Sequence, residues 1–152
     1  MSEEPGDYAG FVTRAIAFAI DVALIDLAAA FVAIVVGLGM SALDVPDVVV
    51  TITIAVGAVT YVAWFVGYFA TFWSTTGQSP GARVMGVRVV CAKSGESVRL
   101  RAAVVRLAGM LLAAIPLFAG FLLILIDDRR RGLQDRLART VVVYASDAPR
   151  LS

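Results

Sequence analysis

Two aspartates sit where a charged group is most costly. Residues 15–42 are apolar apart from Asp21, Asp26 and Ser41. At ~1.5 Å per residue such a run is long enough to cross a ~30 Å hydrocarbon layer as a helix. A charge at the centre of a spanning helix costs ~2.5–3.5 kcal/mol even on lenient insertion scales, so it usually faces a partner or a wet cavity. Counted from Arg14, Asp21 lies about 10 Å deeper and Asp26 about 18 Å deeper, the second near the bilayer midplane. Arg14 and Asp21 are seven residues apart, and at ~100° per residue that spacing returns them to one helix face. Asp26 is turned about 140° from Asp21 and is expected to look elsewhere. Arg106, or an arginine of the 129–131 run, could bridge to the Arg14–Asp21 face.

Two chemistries fit this pattern. Burial favours the protonated form of a carboxyl group, so an intramembrane aspartate can cycle between neutral and charged states and exchange a proton for a cation. Alternatively, an Asp–Arg network fixes helix packing and topology. Carboxylate oxygens suit hard cations. The chain has no histidine and a single cysteine, Cys91, which removes His-dependent catalysis, an intrachain disulfide and a Cys-rich zinc site. No nucleophile–base pair or metal constellation is visible, so neither enzymatic activity nor a metal or cofactor is expected. Gln78-Ser79-Pro80-Gly81 lacks the glycine spacing and Gly-Lys-Ser/Thr ending of a phosphate loop and reads as a helix-entry turn.

The elements that must position these residues follow from composition. The 152 residues are 60% hydrophobic and 16% charged, with a mean hydropathy of +0.87; soluble domains are roughly half apolar and about a quarter charged. Thirteen Lys+Arg against twelve Asp+Glu leave a formal charge of +1, without the basic footprint of a nucleic-acid partner. Disorder is excluded as well. Residues 48–82 contain no charge, with the densest apolar core at 52–73, and residues 107–126 form a third uncharged run broken by Pro116 and Gly120. The acidic start MSEEPGDY lacks the basic region and cleavage site of a signal peptide, so the first span is expected to stay as an anchor.

Orientation is read from the basic residues. Arg83, Arg88, Lys93, Arg99, Arg101 and Arg106 crowd residues 77–106, whereas residues 41–47 carry Asp44 and Asp47 without Lys or Arg. Basic flanks stay cytoplasmic, which predicts a multi-pass plasma-membrane protein with its N-terminus inside. The third run has Arg106 before it and Arg129, Arg130, Arg131, Arg136 and Arg139 after it. A hairpin resolves that conflict, with residues 98–115 and 117–126 as unequal legs around Pro116; a kinked full crossing is the alternative. Residues 84–90 and 140–144 are β-branched and predict a small cytoplasmic β element, with a turn at Ser94-Gly95-Glu96.

On the second helix, Trp73 and Tyr68 suit an interfacial belt, while Tyr61 and Trp64 read as packing. Ala63 and Gly67 permit close helix approach, which would serve either internal packing or a homo-oligomer enclosing a cavity. The 129–131 arginines read as positive-inside retention, or as contacts to anionic headgroups at ~1 kcal/mol each.

Three stretches, AGFVTRAIAFAIDVALID, TGQSPGARVMGVRVV and DDRRRGLQDRLARTVVV, together resemble the RDD family of small integral membrane proteins. The resemblance covers residues 8–144 as one membrane domain, leaving tails at 1–7 and 145–152. It implies an all-α membrane fold: two clear transmembrane helices, a Pro-kinked or re-entrant third segment and the small β element. The family arginine and first aspartate match Arg14 and Asp21. For the second aspartate the resemblance implies Asp135 first, with Asp127 and Asp128 as alternatives. Many members have Lys where this chain has Ala82, and His where it has Gln134. The resemblance implies transport of a small solute or cation, and the carboxylates make proton coupling a natural form of it. Asp21 and Asp26 would then bind or titrate, with Arg14 and Asp135 organising the cytoplasmic mouth. The alternative is a non-transporting scaffold or accessory subunit in the bilayer, docking a cytoplasmic protein through residues 77–106 and 127–144.

Overall fold

The computed structural model describes residues 8–114 and 129–145. Helix α1 (Phe11–Ala42) and helix α2 (Asp47–Thr75) dominate the molecule. Both are long and apolar enough to cross a membrane, and the most apolar window of α1 is only 6% buried and that of α2 0%. A core helix of a soluble protein buries such a window, so these two surfaces fit contact with lipid. Residues 48–56 read VVVTITIAV, a strand-like run in water. It is helical here, as a lipid-exposed segment must satisfy its backbone internally. The threonine hydroxyls follow the same rule: Thr51, Thr53 and Thr60 each donate to the carbonyl four residues back, at 2.8–3.0 Å.

The chain reverses between α1 and α2 through Asp44, a non-glycine residue at φ 49°, and Asp47 places a carboxylate in the first turn of α2, where the helix dipole favours it. At the other end of α2, Gly77 adopts φ +71° and returns its N–H to Phe72 O at 2.9 Å. Helix α3 (Pro80–Val84) follows, with Ser79 at its N-cap and Pro80 in its first turn. This is the helix-entry turn expected from the motif.

Strand β1 (Val87–Cys91) then pairs antiparallel with the late strand β2 (Thr140–Tyr144), in a register running from Val87 opposite Tyr144 to Cys91 opposite Thr140. These two strands are the small β element predicted by the β-branched runs. Gly95 (φ +69°) shapes the turn after β1. Helices α4 (Leu100–Ala114) and α5 (Leu133–Ala138) complete the described elements. The expected hairpin about Pro116 and Gly120, along with Asp127 and Asp128, lies outside the described residues.

The packed core sits at one end of the long helices. Ala9, Ile25, Phe69, Trp73, Ala82, Val87, Val89, Val98, Ala103, Leu107 and Val142 form one buried cluster. The N-terminal segment is sewn to the sheet, with Ala9 N–H donating to Val142 O at 2.9 Å and Tyr8 bridging Val143. Beyond this end α1 and α2 have few neighbours among the described residues, and residues 30–39 and 54–64 are all exposed. Ala63 and Gly67 belong to this uncovered surface: a methyl group on Gly67 would meet nothing within 4 Å.

The tightest approach in the fold is α3 on α1. A Cβ on Gly81 would lie 2.1 Å from Ala17 O and 2.9 Å from Asp21 Cγ. Gly81→Ala should therefore cost about 1–3 kcal/mol of stability through overpacking. Gly67→Ala should leave stability unchanged or raise it by up to about 1 kcal/mol through helix propensity. Thermal unfolding of the two purified variants in one detergent checks the contrast, and equal losses would contradict the close approach at Gly81.

Candidate functional site

Three of the residues singled out by sequence meet in one buried cluster. Arg14, in the first turns of α1, donates from Nη1 to Asp135 Oδ2 at 2.6 Å. Arg106, on α4, donates from Nη1 to the other oxygen of Asp135 and to Thr140 Oγ1 at 2.9 Å. Asp135 is 0% exposed and also accepts from Gly132 N–H at 3.0 Å, so one carboxylate caps α5 and neutralises two guanidinium groups. Arg14 is steered by its own Nε, which donates to Ala9 O at 3.0 Å. Arg106 lies with its guanidinium carbon 4.9 Å from the ring centre of Trp73, an electrostatically favourable position. Trp73 is thus a buried platform for a cation rather than an interfacial anchor. Arg106 ties α4 to α5 through Asp135, which Arg14 joins from α1, and Arg106 does not reach Asp21.

Asp21 has a different set of partners. It is 1% exposed and accepts from Tyr68 Oη at 2.9 Å, from Gly81 N–H at 2.7 Å and from the Ser79 hydroxyl. Ser79 Oγ in turn accepts from Ala82 N–H at 3.4 Å. The polar turn after α2 is therefore shaped to clasp the carboxylate of α1, and Gly81 is glycine because that clasp leaves no room for a side chain. Tyr68 is committed to Asp21.

Asp26 is exposed and accepts from Tyr61 Oη at 2.6 Å. Asp26 shares none of Asp21's partners, as its azimuth predicts, yet both aspartates reach tyrosines on α2. Tyr61 and Tyr68 are seven residues apart and so share a face; their long phenols reach α1 at two depths. Sequence reasoning missed these tyrosines as partners, although a phenol inside a span needs an acceptor, and seven-residue spacing on the neighbouring helix was the available signal.

The helices leave a cavity of about 610 Å³ between α1 and α2. Phe11, Phe18, Val62, Phe65, Val66 and Phe69 form much of its wall, while Arg14, Asp21, Ser79, Arg106 and Gln134 line it with polar groups. Arg14 Nη2, Arg106 Nε and Gln134 Oε1 are buried and have no hydrogen-bond partner among the described residues. Among these residues no group of three or more His, Cys, Asp or Glu side chains could hold a metal ion.

Two other candidates play local parts. Arg130 donates to Tyr8 O at 3.2 Å, tying the 129–131 run to the N-terminal segment. Cys91 is a free thiol on β1. Backbone bonds from Lys93 and Ser94, with the Ser94 hydroxyl, pull its pKa below the ordinary thiol value.

The ion-pair cluster makes a sharp energetic prediction. Asp135→Asn removes the shared counter-charge and leaves two buried guanidinium groups facing each other, so it should cost about 3–5 kcal/mol. Asp26→Asn, at an exposed position, should leave the melting temperature unchanged. Unfolding in detergent reads both, and an undiminished melting temperature in Asp135→Asn would contradict the cluster.

Comparisons with known proteins bear on the chain as a whole. The family model described as RDD family matches residues 8–139. Two curated relatives, each a "Proline-rich antigen homolog" from one strain of Mycobacterium tuberculosis, are 34% identical to this chain over 90 residues. The match covers 59% of this chain and 36% of each relative, so the chain corresponds to about a third of their length. No solved structure matches.

Proposed function

This chain belongs to the RDD family, and on that premise we propose that it is an integral membrane protein carrying a small solute through the space between α1 and α2. The observation that carries this reading is the cavity of about 610 Å³, walled by apolar side chains and ending on Arg14, Arg106, Asp21 and Gln134. Sites of roughly 300–1,000 Å³ with a few convergent polar groups are the usual form of small-molecule pockets. The crowding of basic residues at 77–106 supports a plasma-membrane orientation with this charged end inside.

The geometry also divides the carboxylates by role. Asp21 and Asp135 each accept three hydrogen bonds from their own chain, which makes them positioning groups. Asp26 has Tyr61 as its recorded partner and is exposed at a depth where charge is costly. We therefore assign the binding of a coupling proton or cation to Asp26.

A second reading is a membrane scaffold or accessory subunit. It is favoured by the uncovered surface of residues 30–39 and 54–64, which a second copy or another membrane helix would cover, with a cytoplasmic protein docking at the charged end.

Proton-gradient dissipation in inverted vesicles, with Na⁺, K⁺, Li⁺ and Ca²⁺ added in turn, separates the two. Coupled transport predicts a cation-dependent response that Asp26→Asn abolishes at matched expression and unchanged stability. No response in the wild type, together with a partner recovered equally by wild type and Asp26→Asn, supports the scaffold.

A further inference from the structure

We infer that the α1–α2 cavity binds a long-chain phosphate monoester, its hydrocarbon chain along the aromatic wall and its phosphate on Arg14, Arg106 and Gln134. This deepens the solute-site reading of the cavity and rests on it.

The inference starts from unmatched hydrogen-bonding capacity. Arg14 Nη2 and Arg106 Nε are buried donors without partners, and Gln134 Oε1 is a buried acceptor without one. All three side chains line the same cavity. Buried polar groups in native structures are nearly always paired, so three orphans on residues that line one cavity call for a ligand or ordered water. Water would satisfy them individually but leaves the charge unmatched. Arg14 and Arg106 share one counter-charge, Asp135, so the trio carries a net positive charge. Asp21 is the other charged group lining the cavity, and its oxygens are engaged by Tyr68, Ser79 and Gly81. The unpartnered groups on the residues lining the cavity are thus two guanidinium donors and one amide acceptor.

That set selects a head group. A carboxylate supplies anionic oxygens for the two guanidinium donors but has no proton for Gln134 Oε1. A quaternary ammonium repels both arginines. A phosphate monoester in its monoanionic form offers anionic oxygens to Arg14 and Arg106 and one P–O–H to Gln134, matching all three orphans. The walls select the rest of the molecule. Phe18, Val62, Phe65 and Val66 line the approach, so a free phosphate would leave most of the apolar wall without contacts, whereas a hydrocarbon chain covers it.

The test is direct binding to the full-length chain purified in maltoside detergent, by calorimetry, with dodecyl phosphate as the probe. Dodecylphosphocholine, dodecyltrimethylammonium and inorganic phosphate are the comparison probes. Dodecyl phosphate should bind saturably and at least about tenfold more tightly than each of them. Gln134→Leu, which leaves both ion pairs intact, should narrow the preference over the choline-capped probe. Val66→Trp fills the wall at a half-lipid-facing position and should weaken dodecyl phosphate by about tenfold or more at an unchanged melting temperature.

Equal binding of the phosphate and ammonium probes, or undiminished binding in Val66→Trp, would overturn the assignment. Inorganic phosphate binding as tightly as dodecyl phosphate would overturn it in favour of a free anion. Because the assay needs no gradient, its failure is distinct from that of the transport reading: flux without probe binding removes only this ligand class, and probe binding without flux keeps the site while removing transport.

Discussion

One carboxylate holds the charged end of this protein together. Asp135 lies between guanidinium groups from opposite parts of the chain, Arg14 at the start of α1 and Arg106 on α4. Each partner is itself fixed: Arg14 by Ala9 O, Arg106 by Thr140 and the face of Trp73. A buried ion pair gives little net stability over a well-packed apolar substitute, but losing one member leaves a charge stranded. The arrangement therefore dictates which elements must meet. The N-terminal segment has to lie on β2, α5 has to present its first turn to α4, and α1 has to enter the bilayer from that junction.

The second constraint is the clasp on Asp21. Tyr68 from α2 and the Ser79–Gly81 turn converge on this aspartate of α1, so the two long helices are pinned close to the sheet and α4. Above that level the cross-connection recorded between them is Tyr61 to Asp26. Two helices pinned at one end and sparsely connected beyond it leave a space between them, and the rings of Phe18, Phe65 and Phe69 meet along its wall. The cavity is thus a consequence of where the polar latches lie. The unpartnered guanidinium donors on residues at its floor are a consequence of two arginines sharing one aspartate.

How much of this could be read from the sequence depended on the range of each interaction. The long helices were legible because lipid as a solvent forces apolar runs into helices, even the β-branched start of α2. The strands were legible because residues 84–90 and 140–144 carry local β character, the first strand forming slightly later at 87–91, and Ser79-Pro80 announced a helix entry by its own chemistry. The three stretches that resemble the RDD family marked Arg14, Asp21 and Asp135, but not their contacts. Arg14 and Asp135 are 121 residues apart, and no local pattern says that they touch. Helical azimuth separates buried Asp21 from exposed Asp26 but says nothing of the tyrosines on the neighbouring helix that reach both. Trp73 and Tyr68 were read as interfacial anchors because amphipathic aromatics near a helix end have that role when nothing covers them. Here Arg106 and Asp21 do.

The central claim is that Arg14 and Asp135 act as one buried unit that ties the first helix to the C-terminal block. A double-mutant cycle of Arg14→Gln and Asp135→Asn, read by reversible unfolding in a single detergent, tests it most directly. If the pair is a unit, the double variant should be less damaged than the sum of the two single variants, with a coupling of about 1–3 kcal/mol. Costs that add to within about 0.5 kcal/mol would mean that the two residues act independently, and would contradict the account built on their contact.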